Sequence, residues 1–159
     1  MLDRLFSPLT INGKTLKNRC VVTPMLMNFC EEDGTCTERF AAYHEAKAKG
    51  GFAMIVTENV AVTSAAKGYQ WIPGLWKDEH IPGFRNLTVH QYDTVIIAQL
   101  NHPGRQASEK YAKAQSWAPS AIPDPYHNEE MPHEMTIAEI HKTVEDFGDA
   151  ALRAKKAGF

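Results

Sequence analysis

The sequence predicts an α/β protein built on a parallel sheet, and three observations carry that expectation. First, Cys20–Thr23, Phe52–Val56 and Thr94–Ala98 are short and almost unbroken apolar runs rather than alternating ones. Strands covered on both faces by helices read this way. Second, segments with helical signals separate the runs, so the order is strand, helix, strand, helix, strand, helix, as in βαβ units with right-handed crossovers. Third, at 159 residues and 43% hydrophobic content the chain suits one globular domain, with no repeat, low-complexity tract or Gly/Ser linker to divide it.

In chain order, Cys20–Thr23 gives the first strand. Thr37 then caps a helix from Glu38 to Lys49 that stops at Gly50-Gly51. Phe52–Val56 gives the second strand, and a shorter, weaker helix is expected from His80 to about His90. Thr94–Ala98 gives the third strand. The last helix opens at Thr136-Ile137-Ala138-Glu139, the spacing of a capping box, in which the threonine hydroxyl and the glutamate carboxylate each satisfy an orphan backbone donor. Ile137, Ile140, Val144, Phe147, Ala151 and Ala154 step by three and four along it, which predicts a core-facing stripe, and Gly158 stands where a left-handed cap belongs. Two long connections, Val62–Glu79 with Tyr69, Trp71 and Trp76, and His102–Met135 with five of the nine prolines, leave the carboxyl ends of the second and third strands. Ligand sites of α/β proteins are built at those ends.

Charge narrows the function classes. Seventeen Lys and Arg against nineteen Asp and Glu give a formal charge of -2 with the signs interspersed. That leaves no basic footprint for nucleic acid or an anionic membrane, and points to small-molecule chemistry. No apolar run approaches a membrane span and the first residues lack the pattern of a signal peptide, so a cytoplasmic location is expected. Cys20, Cys30 and Cys36 match no CxxC pair and read as reduced, structural thiols. His127 and His133 have no second ligand pair, so no metal site is expected.

Dinucleotide GxGxxG, P-loop, GxSxG and HExxH motifs are all absent. What remains lies at the strand ends: Thr23–Asn28 after the first, Thr57–Val62 after the second and Gln99–Arg105 after the third. A planar ligand across these ends would meet backbone N–H groups from the first two and the two-sided amide of Gln99. A carboxamide donates and accepts at once, which matches the alternating edge of a flavin pyrimidine ring. Taken singly, Pro24 also reads as the end of an edge strand, Glu58 and Asn59 as polar loop residues and Gln99 as a partner for backbone.

Together the segments resemble a family. Leu5-Phe6-Ser7-Pro8-Leu9, Leu16-Lys17-Asn18-Arg19, Pro24-Met25, Gly74–Ile81, Gln99-Leu100-Asn101-His102-Pro103-Gly104-Arg105 and Ala118–Ile122 look, in colinear order over essentially the whole chain, like the Old Yellow Enzyme family of FMN-dependent NAD(P)H:flavin oxidoreductases. The resemblance implies a (β/α)8 TIM barrel with FMN across the carboxyl ends of its strands. It places backbone contacts to the flavin on Pro24, Met25 and Leu26, an amide contact on Asn59, and the pyrimidine-edge contact on Gln99. Leu9–Leu16, with Asn12-Gly13 as a type I′ turn, resembles the hairpin that covers the barrel's amino-terminal mouth.

Leu26 stands where relatives often carry Thr or Cys, Asn59 where the residue is usually small, and the helix after His80 is about two residues short. A barrel of this type takes about 250 residues. The chain therefore reads as an amino-terminal portion, the first three βα units of a partial barrel. The family's substrate-gripping histidines, tyrosine proton donor and phosphate loops lie beyond it, so no catalytic residue is assigned. The implied parent is an ene-reductase type oxidoreductase acting on an alkene or enone, with FMN as cofactor and NAD(P)H as reductant, and the chain alone is expected to be inactive and homo-oligomeric. The alternative from another class is a non-catalytic α/β module that binds a partner through an open sheet edge.

Overall fold

The computed structural model describes residues 2–126 and 130–159, with position 88 described in its backbone alone. Helix α1 (Leu2–Leu5) leads into an antiparallel hairpin of β1 (Leu9–Ile11) and β2 (Lys14–Leu16). Its turn residues Asn12 and Gly13 both take positive φ, 43° and 78°, as a type I′ turn requires. The expected hairpin is present.

A parallel sheet in the order β3-β4-β5 follows, from β3 (Val21–Val22), β4 (Met54–Ala61) and β5 (Val95–Asn101). The α/β class and the parallel direction match the sequence reading, but the strand limits do not. β3 keeps only two residues, while β4 runs five residues past Val56 and β5 three past Ala98. The polar segments expected after the strands are therefore inside them. They continue to pair because an irregularity in β4 resets the register: Val56 pairs with Ile97, but Asn59 pairs with Gln99. Thr57 and Glu58 thus face Ala98 alone, a bulge of one residue.

Helix α2 (Glu38–Lys49) has the expected bounds, with Thr37 Oγ1 accepting from Phe40 N–H at 3.2 Å. The expected His80–His90 helix is instead broken into three pieces. A 3-10 turn over Asp78–His80 enters α3 (Ile81–Arg85), Leu87 is extended, and a second 3-10 turn spans Thr88–Tyr92. Pro82 suits the first turn of α3, where its missing N–H is not needed. The break at Leu87 lets that side chain enter the core. In the long second connection a 3-10 turn at Gly104–Gln106 and α4 (Glu109–Ala112) precede β6 (Trp117–Ala118), which pairs in parallel with β7 (His133–Glu134). No described helix is long and apolar enough to cross a membrane.

Helix α5 (Ile137–Ala157) has the complete capping box of Thr136 and Glu139, and Gly158 caps it in the left-handed region at φ 101°. The stripe expected on its buried face is mostly outside. Ile137 is 70% and Val144 65% exposed, and Ile140 and Ala151 are exposed too. The buried face is the small-residue row Ala150, Ala154 and Ala157, with Phe147 partly covered. Helix α5 packs against β5 and α3, and its buried residues are alanines in the carboxyl-terminal half, whose small side chains allow close approach. Arg153 fixes this seating through Asp78 at 2.7 Å and the Leu75 carbonyl at 3.2 Å.

The core lies between sheet and helices. Ile55, Val60 and Ile96 from the sheet meet Phe40, Phe84, Leu75 and Val89, and the Phe40 and Phe84 rings stand edge to face at 6.0 Å. The connection after β4 returns alongside it, since Ala61 N–H donates to the Pro73 carbonyl and Leu75 N–H to the Ala61 carbonyl, each at 2.9 Å. Trp76 folds back over Gly74 so tightly that a Cβ there would stand 2.1 Å from indole Cζ3. Gly148 lies in α5, where an added Cβ meets nothing within 4 Å.

These two glycines give opposite expectations. Gly74→Ala should destabilise by about 1–3 kcal/mol through displacement of Trp76. Gly148→Ala should stabilise by about 0.5–1 kcal/mol through helix propensity. Urea unfolding of both variants beside the parent checks the signs, and a neutral Gly74→Ala would contradict the packing of Trp76.

Candidate functional site

The carboxyl ends of β4 and β5 open onto a hollow of about 290 Å³ lined by Leu26, Asn59, Gly68, Tyr69, Gln99, Asn101, Pro103 and Gln106. The bulge decides which β4 residue faces it. Without the extra residue Glu58 would pair with Gln99; with it, Asn59 does. Gln99 N–H leaves the regular ladder and donates to Thr57 Oγ1 at 3.3 Å, and that hydroxyl donates in turn to the Glu58 carbonyl at 2.9 Å.

Of the five residues expected at the site, Leu26, Asn59 and Gln99 line this hollow together. Pro24 and Met25 are exposed, Met25 by 63%, and do not line it. The side-chain amides of Asn59, Gln99, Asn101 and Gln106 make no hydrogen bond among the described residues. A hollow ringed by unspent carboxamides offers donors and acceptors side by side, which suits the edge of a heteroaromatic ring such as the flavin pyrimidine. The residues present therefore fit that group.

Glu58, read from the sequence as a polar loop residue, has a different place. It is 2% exposed, and its Oε2 accepts from the backbone N–H of Met27 at 3.0 Å and of Asn28 at 3.3 Å. Burial pushes its carboxyl above the ordinary carboxylate range, while the two amides hold it back. Oε1 is buried without a hydrogen-bond partner among the described residues. The segment that carries Leu26 is thus tied to β4 by a carboxylate one residue before Asn59. Asn28 closes the segment at a positive φ of 53°. The sequence signal was available: a lone acid between Val56 and Val60 in an apolar run is costly to bury unless it accepts hydrogen bonds. Tyr69 and Asn101 lie in segments that the sequence placed at the strand ends, and Gln106 in the second long connection, but only the fold brings them to the same hollow.

Further histidines lie away from this hollow. His102 lines a neighbouring one of about 250 Å³ with Trp76, Trp117 and Asp146; burial lowers its pKa, and its Nδ1 accepts from Gly104 N–H at 3.2 Å. His133 Nε2 faces the Glu139 carboxylate at 3.0 Å, and His127 lies outside the described residues. No group of three metal-ligating side chains occurs among the described residues.

Glu58→Ala should leave the Met27 and Asn28 amides without their acceptor, at about 1–3 kcal/mol. In hydrogen exchange those two amides should lose protection while the β4–β5 ladder at Ile55 and Ile96 keeps it. Unchanged protection at Met27 and Asn28 would remove Glu58 from the role of anchor.

Comparison with known proteins points to one family. Residues 4–159 match the NADH:flavin oxidoreductase / NADH oxidase family. An NADPH dehydrogenase of Geobacillus thermodenitrificans is 42% identical over 160 residues, covering 98% of this chain and 45% of that protein. Among solved structures, 2-naphthoyl-CoA reductase in complex with 2-naphthoyl-CoA superposes with a TM-score of 0.95 at 26% identity, over 100% of this chain and 26% of that one. The old yellow enzyme homologue from Zymomonas mobilis superposes at 0.87 and 28% identity, over 98% and 46%. The chain spans less than half the length of these relatives. The family works with FMN as cofactor and NAD(P)H as reductant. The colinear motifs, the parallel sheet and the match along nearly every residue lead to one conclusion: this chain belongs to the NADH:flavin oxidoreductase / NADH oxidase family, as its resemblance to the Old Yellow Enzymes implied.

Proposed function

We propose that the chain is the amino-terminal part of an FMN-dependent oxidoreductase of ene-reductase type, contributing the first three βα units of a (β/α)8 barrel and part of the cradle for the flavin ring. The observation that carries this reading is the pairing of Asn59 with Gln99, two unspent carboxamides beside Leu26 at the carboxyl end of a parallel sheet. When bound, FMN supplies hydride transfer from NAD(P)H to the β-carbon of an activated alkene or enone.

The work of this chain's own residues is to bind and orient. Gln99 and Asn59 would present donors and acceptors to the pyrimidine edge, and Leu26, which lines the same hollow, would border the ring. Leu26 would offer a bound ring no side-chain hydrogen bond where a Thr or Cys would. On this reading no residue of this chain is assigned to grip substrate or phosphate, and no turnover is expected from these 159 residues by themselves. The hairpin β1–β2 covers the opposite, amino-terminal mouth of the barrel.

The open side of the sheet supports the same reading. Among the described residues β5 pairs only with β4, and beside it lies an apolar hollow of about 420 Å³ formed by Ile96, Ile97, Ala98, Leu100, Ala151 and Phe159, with Ile97 41% exposed. A fourth strand covers this edge in the complete barrel. In the isolated chain a second copy does so, because an unpaired strand beside apolar surface favours association.

In the complete protein, Gln99→Leu should weaken FMN binding by about 1–3 kcal/mol, roughly 5- to 150-fold in Kd, since it leaves flavin polar atoms unpaired. Fluorescence titration of FMN checks this, and an unchanged Kd would take Gln99 out of the site. A preparation that binds no flavin and stays colourless would favour the non-catalytic module. Light scattering of the isolated chain should show a dimer or larger species, and a monodisperse monomer of 17.8 kDa would contradict the exposed edge.

A further inference from the structure

Cys30 and Cys36 close a five-residue turn as opposed residues of an isolated antiparallel bridge. Glu31 N–H donates to the Thr35 carbonyl at 2.8 Å inside the turn, whereas Cys30 N–H is spent on the Trp71 carbonyl at 3.0 Å. The two cysteines therefore form a pair that shares no backbone hydrogen bond. Opposed Cα atoms of antiparallel strands lie about 4.5 or 5.5 Å apart, and both values fall in the window of roughly 4.4–6.8 Å that a disulfide spans. Both thiols are free, and the neighbouring Cys36 helps to raise the pKa of the Cys30 thiol.

The surroundings hold the pair in place. Thr37 Oγ1 donates to the Phe29 carbonyl just outside it, Lys77 pairs with Asp33 at 3.1 Å and Lys113 with Glu32 at 2.6 Å within it. On the far side Gly83 of α3 comes so close that a Cβ there would stand 3.1 Å from Cys36 Cβ. The two sulfurs differ in access. Cys30 is buried, whereas Cys36 is half-buried and lines a surface hollow of about 360 Å³ with Glu38, Ala41, Glu45 and Asn86.

We propose that Cys30 and Cys36 are a site of oxidative modification, at which an uncharged low-molecular-weight disulfide converts the two thiols into an intramolecular disulfide closing the turn. The Cys36 thiolate attacks the small disulfide, forming a mixed disulfide and releasing one small thiolate. The Cys30 thiolate then attacks the Cys36 sulfur, the Cys30–Cys36 bond forms, and the second small thiolate leaves. The protein gives up two electrons and two protons, and the reagent takes them up as two thiols. Glu38 and Glu45 on the wall of the hollow disfavour an anionic reagent such as glutathione disulfide. Once Cys36 carries the small thiol, burial and the nearby Glu58 carboxylate still favour the protonated Cys30 thiol, so the second step quickens as pH rises.

The test uses the complete protein under native conditions, treated with hydroxyethyl disulfide and then alkylated. Tryptic cleavage at Arg19 and Arg39 releases one peptide containing all three cysteines. It should carry a single alkyl group, on Cys20, and be two hydrogens lighter at the remaining pair. Cleavage after Glu31 and Glu32 should sever the main chain between Cys30 and Cys36 yet leave the halves joined until reduction. Cys36→Ser should block the bond, and glutathione disulfide should react more slowly than the uncharged reagent. A stable mixed disulfide on Cys36 in the wild type, three alkyl groups after prolonged exposure, or a bond that forms only in urea would each overturn the proposal. Equal rates with the two reagents would overturn the preference for an uncharged one.

Discussion

The bulge between Val56 and Asn59 is the constraint from which the candidate site follows. Side chains of a strand alternate between faces, so one extra residue in β4 exchanges the faces for everything beyond it. Before the bulge, Ile55 is packed in the core opposite Ile96; after it, Val60 is packed there opposite Leu100. Both ends of the strand thus keep an apolar residue toward the helices, and the two residues absorbed at the bulge become available for other work. Thr57 repairs the interrupted ladder by accepting the Gln99 N–H. Glu58 reaches the segment that carries Leu26, and Asn59 takes the place beside Gln99.

That arrangement also explains why a carboxylate is tolerated in the interior. An isolated buried acid would be strongly disfavoured, but two backbone N–H groups donate the hydrogen bonds that water would otherwise supply. The same bonds solve a second problem, since the Pro24–Asn28 segment has no strand partner of its own among the described residues. Anchoring it through Glu58 gives an irregular segment a defined position over the end of the sheet. A regular β4 would have brought Glu58 to Gln99 and left this segment without its acceptor.

Local signals in the sequence were accurate wherever the information is local. The bounds of α2, the Thr136–Glu139 capping box, the Gly158 cap and the Asn12-Gly13 turn all depend on a few adjacent residues, and each appears as expected. The three strands and their parallel direction followed from apolar runs. The strand ends did not, because Thr57–Ala61 and Gln99–Asn101 pair across a bulge that no residue type announces. The α5 stripe failed for a different reason: periodicity says which face is apolar, not how far along its length a helix meets a sheet. Leu26, Asn59 and Gln99 were named through motif order and line one hollow, while the places of Asn101, Gln106 and the anchoring Glu58 needed the register and the packing of distant loops.

The central claim is that the carboxamides of Asn59 and Gln99 contact a flavin ring. Side-chain amide NMR signals of the complete protein, assigned by Asn59→Asp and Gln99→Glu variants and followed during FMN titration, test it most directly. Both signals should shift together at the stoichiometric point and exchange more slowly with solvent, while those of Asn12 and Asn86, outside the hollow, stay in place. Binding of FMN with the Asn59 and Gln99 signals unmoved would contradict the account.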